Sequence, residues 1–586
     1  MQKYFSIIII LFFSNIGLIS GQALLDKDQA IIYNKMPQEQ IFIHYNASLL
    51  FSGDHLFYKI YNINSQTKKL STLSKIAYVE LIGVDKKFVF KHKINLESGL
   101  GQGDFFIPSS VPSGNYKLIA YTQWMKNVGN HYFFQGNVSI INPFLKNQPP
   151  TAEAKILDSI SNRIQYSNEI KANKTNRFIG LNINTKHFSK REKVILKIST
   201  LLDQASFGNY SISVRKIDSI LLPKRPSANA YEHVFSNTKK SKIPSNKKSI
   251  YLPELRGELI SGTVLTKDTK EHVLFKKVSL SITGKNPVFK LSTTNNSGKF
   301  YFNLDTPYEV FNANLHVMDS DSEKYKIVLD RYPSPNYDKL IFSDFKISSE
   351  MEKLILEHSI NNQIENAYYS VKKHNVKQQD SILPFYKGHE IIYNLDDYKR
   401  FKSVEETIVE IINNVWIEEK KGVKQFRLRN KYHDSKDLPI LIIVDGLLTL
   451  NHDDLINYDA RKIKSISIVN KKYQYGSGIF RGIISVETIN ADFKNTISTK
   501  YTKSINLIKP LNSKDYFVQK YNDTESLKRI PDYRSQLLWE PNFNINQKES
   551  IVTFYTSDYI GNYEINIEGF TKNGIPVSLK EIINVR

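Results

Sequence analysis

Four stretches of this chain share one pattern, and it limits the available folds more than any other feature: a glycine, one polar residue, an aromatic, then strict alternation. They are Ser113-Gly114-Asn115-Tyr116 running to Ala120, Phe207-Gly208-Asn209-Tyr210 to Val214, Ser297-Gly298-Lys299-Phe300 to Leu304, and Ile560-Gly561-Asn562-Tyr563 to Ile567. After the aromatic every second residue is apolar, as in Phe300, Phe302 and Leu304 or Tyr563, Ile565 and Ile567. A period of two belongs to a strand with one buried face. The glycine permits the turn that launches the strand. Repeated turns followed by alternation are the sequence form of antiparallel sandwiches, so the expected fold class is mainly β.

Length and composition agree with this. The 586 residues suffice for about four domains. The 41% apolar and 24% charged content is that of a folded chain, and the 12% aromatic content, dominated by Tyr and Phe, favours strands. No cysteine is present, which excludes a disulfide framework, a thiolate metal site and a lipid-modified cysteine anchor.

Residues 1–21 have the form of a secretory signal: Lys3, an apolar stretch from Ile7 to Phe13, and Ile19-Ser20-Gly21 before Gln22. That apolar run is short for a membrane span of about 20 residues. The expectation is an exported protein without a transmembrane helix in its mature form. The formal net charge of +22 is spread along the chain, and the one dense run, Lys239-Lys240-Ser241-Lys242 with Lys247-Lys248, lies among Ser, Asn and Pro. It reads as a solvated basic linker at 223–252 rather than a nucleic-acid surface.

Strand patterns and turns divide the remainder. Residues 22–143 form a first sandwich. Residues 150–222 carry three strong strands, too few to close a sandwich, and 545–586 carry three more; pairing of the two sets would complete one domain. Residues 253–347 hold about seven short strands. Residues 348–430 read as a helical connector, with one helix starting at Ser359 and a second, running to Val415, capped by Ser403 and Glu406. A small α+β region at 431–495, a linker at 496–544 and the C-terminal strands follow.

The first unit, with "LLFSGDHLFYKIY" at Leu49 to Tyr61 and "VPSGNYKLIAYTQWMKN" at Val111 to Asn127, resembles the macroglobulin-like (MG2) domains of exported Bacteroidetes proteins. "YLPELRGELISGTV" (Tyr251 to Val264) introduces a domain that, with "NNSGKFYFNL", resembles a carboxypeptidase-regulatory-like sandwich. The resemblance implies tandem macroglobulin- or Ig-like sandwiches and no chemistry. The protease-trapping thioester of some macroglobulins needs a cysteine that this chain lacks.

Asp445 ends the apolar run Pro439 to Val444, a position where enzymes can keep a metal ligand or a nucleophile. The partners such roles require are missing. There is no G-x-x-x-x-G-K-[ST] loop for a nucleotidase, and Leu447 stands where a haloacid-dehalogenase-type phosphotransferase carries its second Asp. The fragments nearest to metal sites are incomplete: Tyr393 replaces the second His after His389-Glu390, and Lys324 replaces the glycine of a calcium loop after Asp319-Ser320-Asp321-Ser322-Glu323.

The spaced elements of this region instead resemble the plug of TonB-dependent outer-membrane receptors. These are an apolar strand into Asp445-Gly446, Asp453-Asp454-Leu455, the strand Ile463 to Val469, the step Tyr475-Gly476, and a small-residue strand with Gly482 ending at Val486-Glu487-Thr488. The resemblance implies that Asp445, Gly446, Tyr475, Gly476 and Gly482 are structural turn residues. No catalytic, cofactor-binding or metal-binding residue is assigned. The chain after Thr488 is too short for a barrel of about 22 strands at roughly ten residues each, so no transporter is expected.

The functional expectation is a non-enzymatic exported scaffold or binding protein without a cofactor, in the periplasm or associated with the outer membrane. Its plug-like module would be presented to an outer-membrane barrel or a transport or assembly complex. The alternative is a cell-surface glycan- or peptide-binding protein using the aromatics of Tyr473 to Phe480. Hydrolase activity is disfavoured because His233, His389 and His433 lack recognisable Ser or acid companions.

Overall fold

A computed structural model describes residues 33–146 and 175–586, together with the two-residue strand Tyr166–Ser167, apart from 219, 221, 232–249, 285, 309, 320, 331–333, 378–382, 421, 431–436, 497–501 and 522–528. The signal sequence, the lysine run of the linker, Ser320, His233 and His433 lie outside the described residues. The chain is mainly β and forms two compact units. The larger takes residues 30–258, 332–379 and 510–586, and the smaller takes 259–331 and 380–509.

The larger unit begins with a sandwich of two sheets. One has the order Glu39–Tyr45, His55–Asn64, Leu100–Phe106; the other has Leu49–Phe51, Phe134–Ile141, Gly114–Tyr121, Ile76–Gly83, Phe88–Asn95. Phe42, Tyr58, Tyr61, Leu81, Leu118 and Phe134 fill the space between them, each fully buried.

A second sandwich in this unit is built from distant parts of the chain. Its five-stranded sheet has the order His187–Phe188, Pro576–Val585, Gly561–Thr571, Gly208–Lys216, Gln536–Ile545, and its three-stranded sheet has Ile179–Ile183, Lys193–Thr200, Glu549–Tyr555. Ile212 lies opposite Ile567, and Leu196 opposite Val552. Tyr210, Ile212, Tyr563, Ile565 and Ile567 are buried in one core.

All four signature stretches are strands, yet their glycines act differently. Gly298 and Gly561 have φ of +68° and +136°, whereas Gly114 and Gly208 do not enter the positive region. What three of the stretches share is the tyrosine. Tyr116 donates its hydroxyl to the Pro112 carbonyl at 2.7 Å, Tyr210 to Ser206 at 2.7 Å and Tyr563 to Tyr559 at 2.6 Å. Each hydroxyl pins the turn four residues upstream, in the manner of the tyrosine corner of sandwich domains. The polar end satisfies a carbonyl that the turn leaves unpaired while the ring enters the core. Phe300 in the fourth stretch has no hydroxyl and supplies only the ring.

The smaller unit opens with a sandwich of sheets ordered Lys299–Leu304, Glu258–Thr266, Tyr325–Leu329 and Val288–Thr293, Lys277–Ile282, Asn312–Val317, Lys503–Asn506. Only six of its strands come from the 253–347 segment. The seventh, Lys503–Asn506, pairs with Asn312–Leu315 from within the expected 496–544 linker.

That linker also holds Gln536–Ile545, whose pattern is broken by Pro541. The strand tolerates this proline because it lies at a sheet edge with a bulge, where Ile212 pairs with Glu540 but Tyr210 with Phe543.

Two expectations about the 348–430 connector are corrected. Its first helix spans Glu352–Ala367, so Ser359 is no cap; its hydroxyl donates back to the Ile355 carbonyl at 2.6 Å inside the helix. The second helix has the expected capping box at Ser403 and Glu406 but ends at Glu410. Val415 then starts a hairpin of Val415–Lys420 with Val423–Leu428, where β-branched and aromatic residues outweigh the helical spacing.

Candidate functional site

The small α+β region of the smaller unit is a five-stranded sheet ordered Ile391–Asn394, Ile463–Val469, Gly482–Thr488, Ile440–Val444, Leu447–Leu448. Ile440–Val444 runs parallel to Gly482–Val486, which places the ends of both apolar strands side by side. One face packs on the helix Val404–Glu410 and the hairpin through Val404, Ile408, Phe426, Ile442, Ile466 and Ile484. The other buries Leu441, Ile443, Val469, Phe480 and Ile483 together with Phe289 of the sandwich. A strand buried on both faces reads as a continuous apolar run, which explains the composition of Ile440–Val444.

Asp445 and Gly446 form the two-residue turn joining Val444 to Leu447, with φ of +51° and +81°. Two positive φ values make this a type I′ turn, for which Asp-Gly is a preferred pair. The Asp445 side chain is 5% exposed and points to the neighbouring strand. It accepts from the Thr488 N–H at 2.8 Å, the Thr488 hydroxyl at 2.6 Å and the Phe493 N–H at 3.2 Å. These bonds commit the carboxylate to holding the chain after Thr488.

The remaining turn residues seat the sheet on the sandwich. A Cβ at Gly446 would lie 2.2 Å from Cβ of Pro287, and Leu448 donates its N–H to the Ser281 hydroxyl at 3.3 Å. Val288–Thr293 is an edge strand of its sheet, and the hairpin of Tyr473–Tyr475 with Gly478–Phe480 covers that edge. Tyr475 donates its hydroxyl to the Phe289 carbonyl at 2.5 Å, and a Cβ on Gly476 would stand 3.1 Å from the Leu291 carbonyl oxygen. An uncovered strand edge invites pairing with other chains, so the hairpin closes a liability while fastening two domains. Burial, with a smaller contribution from Asp305, pushes the Tyr475 hydroxyl up to about 12 and keeps it a donor. Gly482 belongs inside the five-stranded sheet, since a Cβ there would meet Leu428 Cδ2 and the Val469 carbonyl oxygen at 2.2 Å each.

Beside these contacts lies a cleft of about 760 Å³, lined by Pro287 to Lys290, Pro384 to Tyr386, Asp445, Gly446, Tyr475 and the segment from Ser485 to Ala491. Three of the five expected residues therefore border one concave site, and Gly476 and Gly482 are not among its lining residues. The sequence reading missed the contribution of Phe289 and Phe385. Pro384, directly before Phe385 and accepting the Lys387 N–H of the turn that follows, was the available signal. Of the incomplete metal fragments, Asp319 pairs with Lys276, Asp321 with Lys324 at 3.5 Å, and His389 Nδ1 contacts Lys471 Nζ at 2.8 Å. Among the described residues no group of three His, Asp or Glu side chains converges on one point.

Fold and site together define a multidomain, mainly β-sandwich chain with a small α+β module seated on one sandwich. No protein-family model matches it, and no curated protein does. Among solved structures it is similar to Escherichia coli alpha-2-macroglobulin activated by porcine elastase, at 9% identity and a TM-score of 0.24, covering 94% of this chain and 44% of that one. Salmonella alpha-2-macroglobulin reacted with methylamine gives 10% identity and a TM-score of 0.23, covering 93% and 39%. A tetra-tandem repeat from the extending region of a large adhesion protein gives 7% identity and a TM-score of 0.12, covering 94% and 100%. The chain spans less than half the length of the alpha-2-macroglobulins it matches.

Proposed function

We propose that this is an exported, non-enzymatic binding protein of the outer-membrane region, whose macroglobulin-like sandwiches carry a plug-like module toward a barrel, transport or assembly complex. The observation that carries the reading is the way the module is held. It has its own core around Ile442, Ile466 and Ile484, and it is fixed to the sandwich through Gly446 against Pro287 and Tyr475 on Phe289. A module with an independent core and a fastened base is presented as one body, which lowers the ordering cost of docking. Export is supported by the form of residues 1–21, and among the described residues no helix is long and apolar enough to cross a membrane.

The test is affinity capture of the full chain from solubilised membranes followed by mass spectrometry. Recovery with a defined outer-membrane protein is expected; recovery only as a free monomer would overturn the reading. The second reading, a surface peptide or glycan binder, is favoured by the cleft beside the module.

A further inference from the structure

The larger unit holds a concave site of its own, a cavity of about 120 Å³ walled by the helix Glu352–Ala367 and by the strands His55–Asn64, Gly208–Lys216 and Gln536–Ile545. The helix turns an unexpected face inward. Asn361 and Asn362 are buried, whereas Leu356 and Ile360 are 60% and 48% exposed. A helix held by packing alone buries its apolar stripe. Here Asn362 donates to the Ser52 carbonyl at 3.2 Å, and Glu365 accepts from the Tyr533 N–H at 2.6 Å, so the polar face builds the wall. Such departures from the usual pattern are expected at functional sites.

Most of the charge around the cavity is already spent. Lys372 donates to both Glu365 oxygens and to the Pro531 carbonyl, and Arg534 donates to Asp532 and to the Leu537 and Tyr555 carbonyls. No side chain of these two ion pairs is more than 17% exposed, so water does not compete for them. Arg215 differs. It is 9% exposed, and among the described residues only one of its N–H bonds has a partner, Nη2 on Asp54 Oδ2 at 2.7 Å. That oxygen also accepts the Phe51 N–H at 3.1 Å, which ties the acid to its own turn.

Two ring N–H groups of the lining residues are unpaired as well. Trp539, 3% exposed, has no partner for Nε1. His374 accepts the Phe517 N–H at Nδ1 at 3.1 Å, and burial, followed by the charge of His55, lowers the ring to about 4. The ring is therefore neutral with its proton on Nε2, which has no partner. Buried donors without acceptors are costly, and together these call for a ligand that brings acceptors. A neutral acceptor would serve the rings but not the guanidinium fork, which matches a carboxylate. Asp54 and Glu365 on the wall oppose a dianion such as phosphate, while the rings of Phe57, Tyr369 and Tyr516 accept a carbon stem. The volume lies below the roughly 300 Å³ at which ordinary ligand pockets begin, which limits the ligand to a small group.

We infer that this cavity binds a small carboxylate, held by the unspent N–H groups of Arg215 with Trp539 Nε1 and His374 Nε2, its carbon stem against Phe57, Tyr369 and Tyr516. The carboxylate belongs to a free short-chain acid or to an acidic side chain.

The experiment titrates the full chain with sodium acetate, at an ionic strength kept constant with sodium chloride, and follows saturation transfer to the acetate methyl protons. Saturable binding is expected, with acetamide and inorganic phosphate each weaker by about tenfold or more. Trp539→Phe keeps a ring and removes one donor, and Arg215→Lys keeps the charge beside Asp54 and removes the fork. Each should weaken acetate about five- to tenfold, with thermal melting as the check on the fold. If Arg215→Lys does not fold, Trp539→Phe carries the test. An N-acetylated, C-amidated Gly-Gly-Asp-Gly-Gly peptide separates the sources: displacement of acetate assigns an acidic side chain, and failure to displace it assigns a free acid. No saturation by acetate, equal binding of acetamide, or indifference to the substitutions would overturn the assignment.

Discussion

The Asp445 carboxylate takes both hydrogen bonds that Thr488 can donate, from its backbone N–H at 2.8 Å and from its hydroxyl at 2.6 Å. Asp445 follows Ile440–Val444, Thr488 ends Gly482–Thr488, and these strands are parallel. One side chain therefore ties two strand ends that no short turn could join. An acid at the end of a buried strand is used here as a clasp, with three of its roughly four acceptor sites taken by Thr488 and Phe493.

Asp445→Asn tests the clasp. Asparagine tolerates the positive φ, so the turn survives, but one acceptor oxygen becomes an N–H₂ facing donors. The cost should be about 1–3 kcal/mol, and Thr488→Val should cost about 1 kcal/mol. Combined, they should cost less than their sum, because both remove the same bond. Urea denaturation of the four proteins checks this; strict additivity would show that the two side chains do not interact.

Gly446→Val should do more than either. It places a β-branched residue at φ +81° and drives a Cβ to 2.2 Å from Pro287. The backbone penalty and the overpacking each amount to about 1–3 kcal/mol. Amide exchange should report lost protection in Val288–Thr293 and Leu447–Leu448 before the centre of the five-stranded sheet is affected. Gly482→Ala should invert that order, exposing Ile463–Val469 first, because its clash with Val469 and Leu428 lies inside the sheet.

The three tyrosine corners make a matched series. Tyr116→Phe, Tyr210→Phe and Tyr563→Phe each remove one hydroxyl and strand one carbonyl, at about 1–2 kcal/mol apiece. Phe300→Tyr should give no gain, since Phe300 is fully buried with no established partner for a hydroxyl. Equilibrium unfolding distinguishes these outcomes; a neutral Tyr563→Phe would mean that the ring alone anchors the turn.

How much of this was legible in the sequence depended on the range of the signal. Alternation after Gly-Asn-Tyr is local, and it marks Gly208–Lys216 and Gly561–Thr571 as strands without any partner in view. The hydroxyl bond from Tyr563 to Tyr559 spans four residues and could have been anticipated from three tyrosines in one motif. Gln536–Ile545 was hidden by Pro541, whose tolerance depends on an edge position that no local pattern records. Asp445 was legible as a turn residue, but its partners Thr488 and Phe493 are more than forty residues away, at separations of 43 and 48. The cleft was invisible for the same reason: Phe289, Phe385 and Tyr475 come from three separate segments and meet only when one domain seats on another.

Glu568 gives the larger unit a pH dependence opposite in sign to that of an ordinary salt-bridged carboxylate. Burial raises it from its usual 4.5 to about 7, against the hydrogen bonds from Ser578 and the Ala228 N–H and the charges of Lys580 and Arg225. Between about pH 4.5 and 7 the folded chain keeps a proton that the unfolded chain releases, so stability is full below 4.5 and falls as pH rises toward 7. The total is about 3 kcal/mol. Asp532 runs the other way: burial raises it, but Arg534 and Lys372 outweigh burial and hold it at about 2, so its contribution is present above 3.8 and is lost in stronger acid. The unit should be most stable near pH 4 to 5 as far as these two groups decide. Glu568→Gln isolates the first effect, because one Glu568 oxygen accepts from both Ala228 at 2.8 Å and Ser578 at 2.5 Å, and an amide oxygen can replace it. The variant should match or exceed the unaltered chain in urea at pH 8 and lose the decline between pH 5 and 7, with tryptophan fluorescence as the readout. A variant that is weaker at pH 8 with the decline intact would show that Glu568 is ionised in the folded chain and that its charge, not its proton, holds Ser578 and Ala228.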